Sequence, residues 1–183
     1  MAKKKVLVVV DYQKDFVDGA LGFESAKNLD KGIAALMKEY AEDENGLIIC
    51  TFDTHREYYL DTQEGKKLPV EHCIKGTEGW KLYGETEMME IMYPMKCTRV
   101  EKPTFGSGVL LEKLAYIDAA DGIESITLVG VVTNMCVISN AVIAKAACPE
   151  AEIIIKKDLV DSFDKELHQK ALDVMAAMQM TVE

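Results

Sequence analysis

The chain has 183 residues, 49% hydrophobic and 28% charged, which is ordinary for a water-soluble globular protein. A chain of this length buries roughly 70% of the surface its unfolded form exposes, so neither disulfides nor a structural metal is needed to stabilise a core. Its 21 Lys+Arg against 31 Asp+Glu give a formal charge of −10, which repels phosphate backbones and anionic lipid headgroups; neither nucleic acid nor a membrane is an expected partner.

In chain order, a basic start at residues 1–5 is followed by an apolar run, Val6 to Val10, that is shorter than the roughly seven residues a secretory signal needs. No run reaches the ~18 apolar residues of a membrane span, so the chain reads as cytoplasmic. Residues 4–11 form the clearest strand, continuously apolar and β-branched, hence buried on both faces as in a parallel sheet. Residues 28–42 follow as a helix, with Leu29, Ile33, Leu36, Met37 and Tyr40 on one face. Residues 47–52 are a second strand, and 53–80 a long irregular stretch of the kind that usually carries function. A more polar strand is expected over 97–101 and another apolar one over 126–132. Residues 136–148 are apolar almost all round and stop before Pro149, which predicts a helix buried on most sides. A strand at 153–155, a helix carrying Leu167, Ala171, Val174, Met175 and Met178, and a last strand at 180–182 complete the series. This alternation of strand and helix predicts one α/β domain over residues 1–183.

The five cysteines are odd in number, widely spaced and free of any CxxC pair, which argues against a disulfide framework or a thiolate zinc site. Cys50, Cys73, Cys97 and Cys148 read as plain buried thiols.

In open α/β sheets ligands bind beyond the carboxyl ends of the strands. Four segments deliver chemistry there: Asp11, Asp53-Thr-His55, Lys102, and Thr133-Asn-Met-Cys136. Taken singly, an Asp that ends a strand is more often a turn residue than a catalyst. Cys136, however, opens a helix, where backbone N–H groups and the helix dipole can lower a thiol pKa, and it reads as a nucleophile. Asp11 can accept its proton and Lys102 can balance the charge. Residues i and i+2 of an extended segment project to one side, so Asp53 and His55 can share a cation, with His72 closing the set from across the long loop. Zn²⁺, Fe²⁺ or Mn²⁺ suit such ligands. On spacing alone, two unrelated surface histidines remain the plainer reading. His168 reads as structural.

Together these segments resemble the nicotinamidase branch of the isochorismatase-like cysteine hydrolase superfamily. The resemblance runs through residues 9–16, 53–55, 68–77, 102–107, 130–136 and 164–168, in the family's order. It implies a three-layer αβα sandwich with a six-stranded parallel sheet, the catalytic set Asp11, Lys102 and Cys136, and a cis peptide between Val131 and Val132 that aims the N–H groups of Val132 and Cys136 into an oxyanion hole. It implies a divalent transition metal, zinc foremost, on Asp53, His55 and His72, with Glu64 as an extra carboxylate ligand, and a substrate pocket formed by Phe16, Leu68 and Val131. The implied reaction is hydrolysis of nicotinamide to nicotinate and ammonia through a Cys136 thioester, in a chain that can form homo-oligomers.

Two departures touch substrate choice: Leu68 stands where many nicotinamidases have an aromatic, and Asn134-Met135 where Asp-Tyr is frequent. The nearest competing reading is a hydrolase of another carboxamide or ureido substrate, such as a carbamoyl amino acid. A non-catalytic nucleotide-binding module is disfavoured because strand one runs into Asp-Tyr-Gln-Lys-Asp-Phe without a glycine-rich turn, so no nucleotide cofactor is expected.

Overall fold

The computed structural model describes residues 2–183. Its strands are β1 (Lys4–Val10), β2 (Gly46–Asp53), β3 (Cys97–Lys102), β4 (Ile123–Val131), β5 (Glu152–Asp161) and β6 (Thr181–Val182). They form one parallel sheet in the order β3-β2-β1-β4-β5-β6. The helices are α1 (Lys14–Val17), α2 (Asp30–Glu42), α3 (Gly84–Met92), α4 (Gly108–Asp121), α5 (Ile138–Ala147) and α6 (Lys165–Ala177).

The pleat of β1 explains the three layers. Val6, Val8 and Val10 point to one face, where Leu110 and Leu114 of α4, Ala141 and Ala144 of α5, and Leu172 and Met175 of α6 cover them. Leu7 and Val9 point to the other, against Val17 of α1, Leu29, Ile33 and Met37 at α2, and Leu82 before α3. A strand covered on both faces has no solvent side, which is why its sequence is continuously apolar. Among the described residues, no helix is long and apolar enough to cross a membrane.

Three expectations need correction. The stretch at 136–148 is not one helix: Thr133–Val137 is a π-helical turn that leads into α5. Nor is α5 buried on most sides. Asn140, Ala141 and Ala144 face inward while Val142 is 44% exposed, because small alanines let one helix face approach the sheet closely and leave the other to solvent. Cys97 is half-buried, since it opens the edge strand β3.

The chain turns outward from β1 in both directions, so the sheet's switch point lies between β1 and β4. Register aligns the carboxyl ends: Val10 pairs with both Thr51 and Gly130, and Asp53 with Lys102. Gly130 has φ +109°, and a Cβ there would lie 2.1 Å from the Val10 carbonyl oxygen, so only glycine lets β4 approach β1 this closely at the rim.

Candidate active site

Asp11 follows the last residue of β1 with φ +45°, fully buried. Its Oδ1 accepts a hydrogen bond from the Thr51 hydroxyl at 2.7 Å, and its Oδ2 forms an ion pair with Lys102 Nζ at 2.5 Å. Lys102 ends β3, and its ammonium also donates to the Thr104 carbonyl at 2.9 Å and reaches Cys136 Sγ at 3.7 Å. The three residues expected to act together are therefore in contact, all at most 5% exposed.

Their protonation follows from burial. Desolvation pushes the Asp11 carboxyl above its ordinary range, and the Lys102 ammonium opposes only part of that rise. Burial alone would lower Lys102, but the charges of Asp11, Cys136 and Asp53 outweigh it, so it stays cationic. Burial likewise pushes the Cys136 thiol well above its ordinary value, against the pull of Lys102. This reverses the sequence expectation of a lowered thiol pKa: Cys136 sits inside a closed turn, where lost hydration and the nearby carboxylates dominate any helix-end effect.

Asp53, His55, Glu64 and His72 form a second group, with one ligand atom from each lying within 4.8 Å of the others. His55 Nε2 is 3.0 Å and His72 Nε2 3.4 Å from Asp53 Oδ2, and His55 Nε2 is 3.8 Å from Glu64. His72 Nδ1 lies 2.8 Å from the Val70 carbonyl, which can only accept, so in the neutral ring Nε2 carries the lone pair. A lone pair facing a carboxylate oxygen is a contact that a cation between them satisfies. The buried Asp53 Oδ1 has no hydrogen-bond partner, with Lys102 Nζ 3.8 Å away. Burial would raise the Asp53 pKa, but His55, His72 and Lys102 together hold it below the usual carboxylate range. Burial and the Asp53 charge push Glu64 up. Two imidazoles and two crowded carboxylates fit a divalent metal.

The long irregular stretch is held in place by specific bonds. His55 and Ile74 form a parallel bridge, through His55 N–H to the Cys73 carbonyl and Lys75 N–H to the His55 carbonyl, both at 3.0 Å. Asp15 accepts from the Cys73 N–H at 2.7 Å, where Cys73 has φ +46°. Tyr59 packs its ring on His55 and His72 and donates to the Leu68 carbonyl at 3.0 Å.

A cavity of about 320 Å³ opens over both groups. Cys136, Asp53, His72 and Glu64 lie at its polar end, and Phe16, Leu21, Leu68, Phe105, Met135 and Phe163 supply apolar walls. Val132 also lines it. Val131 does not: along β4 it shares the face of Val129, and its side chain is fully buried in the core on the α2 side of the sheet. The Val131–Val132 peptide is cis.

The residues that support these groups have no signature in the sequence. Gln13 clasps Asp53 from β1's side, accepting from its N–H at 2.8 Å and donating to its carbonyl at 2.9 Å and to that of Trp80 at 2.8 Å. Asn140 donates to the carbonyls of Phe105 and Cys136 at 3.0 and 2.9 Å and accepts from Ser107 N–H at 3.1 Å, tying the loop after Lys102 to the cysteine turn. Their partners are backbone atoms, so no spacing of side-chain types announces them.

Against known proteins, the isochorismatase domain model matches residues 5–183. An isochorismatase family protein of Bacillus subtilis, PncA, is 33% identical over 183 residues, covering 94% of each chain. The crystal structure of nicotinamidase/pyrazinamidase PncA from Bacillus subtilis superposes with a TM-score of 0.87 at 28% identity over 98% of both chains. That of the pyrazinamidase/nicotinamidase from Streptococcus mutans gives 0.86 at 29% identity, over 98% of this chain and all of the other.

Proposed function

The chain belongs to the isochorismatase domain family, and from that premise we propose that it is a cysteine amidohydrolase that converts an uncharged aromatic carboxamide, nicotinamide foremost, to the acid and ammonia. The observation that carries this reading is the position of Lys102 Nζ, 2.5 Å from the Asp11 carboxylate and 3.7 Å from Cys136 Sγ. A carboxylate, an ammonium and a thiol in contact have the parts for a nucleophile and its base without an imidazole.

Asp11 takes the Cys136 proton: burial makes this carboxylate more basic than usual, and the Lys102 ammonium beside both groups offsets the burial that resists forming the thiolate. The thiolate forms a bond to the carboxamide carbon as the carbonyl π pair moves onto oxygen, where the N–H groups of Val132 and Cys136 receive it. The C–N bond then breaks, Asp11 returns its proton to the departing nitrogen, and ammonia leaves a thioester on Cys136. Water gives a proton to Asp11 and adds to that carbonyl; the C–S bond then breaks as Asp11 passes the proton to sulfur, releasing the acid and restoring both the thiol and the carboxylate. Lys102 stays cationic throughout and offsets the negative charge wherever it rests.

Asp53, His55, Glu64 and His72 would hold a divalent transition metal, zinc foremost, with iron or manganese also suited. Such a metal, when bound, supplies a Lewis-acid site for a ring nitrogen that orients the substrate. Phe16, Phe105 and Phe163 give the ring an apolar slot, and Leu68 closes one wall. Among the described residues, no Lys or Arg lines this cavity. A carbamoyl amino acid would lay its polar, charged backbone against these apolar walls, which suit a neutral aromatic ring better. The nicotinamidase/pyrazinamidase descriptions of two solved relatives support the same choice. The five free thiols suit a reducing compartment, which supports a cytoplasmic location.

The test is intact mass spectrometry of protein quenched in acid during turnover of nicotinamide. An acyl adduct that maps to Cys136 and is missing from Cys136→Ala is the expected result. Turnover without any adduct in either protein, with Cys136→Ala still active, would overturn the covalent route.

A further inference from the structure

His168 lies in the first turn of α6, which Asp164 caps by accepting from Leu167 N–H at 2.9 Å. Its Nδ1 is 2.8 Å from the hydroxyl of Thr133. Thr133 is fully buried and is the first residue of the π turn that ends at Val137 and carries Cys136. His168 itself is half-buried and does not line the substrate cavity, so it cannot touch the reacting atoms.

We propose that His168 is a positioning residue: its ring holds the Thr133 hydroxyl and so fixes the turn that presents the Val132 and Cys136 N–H groups to the substrate oxygen. The inference rests on the reading of Cys136 as nucleophile. Three points support it. The turn follows β4 directly, with Val132 alone between them. Its far side is held by Asn140, which donates to the Cys136 carbonyl from α5 at 2.9 Å. The hydrogen bond from α6 is the complementary hold at the turn's near end. Burial favours the uncharged imidazole of His168, whose bare Nδ1 can accept the Thr133 proton in a hydrogen bond. Donors to a developing oxyanion lose much of their effect when displaced by a fraction of an ångström, whereas the sulfur's own reactivity toward a saturated carbon needs no such donors.

That difference supplies the test. Two reactions at Cys136 are compared in the full chain loaded with zinc: acylation by p-nitrophenyl acetate, which develops an oxyanion, and alkylation by iodoacetamide, which does not. The variants are His168→Ala, His168→Asn, Thr133→Val and the double variant His168→Ala/Thr133→Val. Removing one hold on the turn should slow acylation about 10- to 100-fold in His168→Ala and Thr133→Val, with alkylation within about twofold of wild type. The double variant should be no slower than either single one, and His168→Asn, which keeps a hydrogen-bonding group near Nδ1, should recover most of the rate. Unchanged acylation in His168→Ala would overturn the inference. So would an equal fall in acylation and alkylation together with a lowered melting temperature, which marks a merely structural residue. A wild-type Cys136 inert to both reagents would instead overturn the nucleophile reading on which the inference rests.

Discussion

Gln13 holds Asp53 by both ends of its amide: Oε1 accepts from the Asp53 N–H at 2.8 Å and Nε2 donates to the Asp53 carbonyl at 2.9 Å. The first residues after β1 thereby fix the carboxylate at the end of β2, around which His55 and His72 gather. Gln13→Ala leaves these buried groups unpartnered, at a cost of about 1–3 kcal/mol for each unsatisfied group. Metal affinity should fall about 10- to 100-fold, as for other residues that orient a ligand. Competition titration with zinc and a chromophoric chelator checks the second expectation; unchanged affinity in a folded Gln13→Ala protein would contradict it.

Asn140 is fully buried, and each of its three hydrogen bonds ends on backbone. Asn140→Leu fills similar space and satisfies none of them, so we expect a loss of at least about 2 kcal/mol in urea unfolding. Because the same bonds join the loop after Lys102 to the cysteine turn, turnover should fall with stability. A variant equal to wild type in both would show that the bonds do not hold that junction.

Metal removal should be visible in stability as well as in turnover. A ligand at 100 times its dissociation constant stabilises the folded state by about 2.7 kcal/mol, which for a chain of this size corresponds to a melting shift of about 5–10 °C. Scanning calorimetry with and without a chelator reads this. His72→Ala should abolish the difference, and a chelator-sensitive shift that survives in His72→Ala would place the metal elsewhere.

The pH profile carries the sign of the Asp11 shift. Its carboxyl is raised by burial, so the ionised base is lost as pH falls through a value above the ordinary carboxylate range. The acid limb of kcat/KM should therefore lie above the reference of about 3.9 for Asp. A limb at or below that value would mean that another group, or a better solvated Asp11, limits the reaction.

Much of this was legible in the sequence because it depends on local pattern. Residues 6–10 are continuously apolar, and β1 is covered on both faces; the rim residues follow from where such strands stop. Other features depend on packing that no local pattern encodes. His72 is set beside Asp53 by the His55–Ile74 bridge and an Asp15 bond to Cys73 from 58 positions away; spacing offered it only as a candidate against the plainer reading of unrelated surface histidines, and the family resemblance tipped the choice. Helix α4 carries apolar residues on all sides, so its face could not be read from period. The Cys136 shift was misjudged because helix position is visible in a sequence and desolvation is not. Val131 was assigned to the pocket, but along β4 it shares the face of Val129 and is covered by the core, and Val132, just past the strand's end, is the residue that reaches the cavity.

Release of ammonia from nicotinamide by zinc-loaded protein, by chelated protein and by Cys136→Ala tests the central claim most directly. The account predicts turnover in the first, a strong reduction in the second, and at least about a 10³-fold loss in the third, as for removal of a catalytic nucleophile. Ammonia release by Cys136→Ala at the wild-type rate would contradict it.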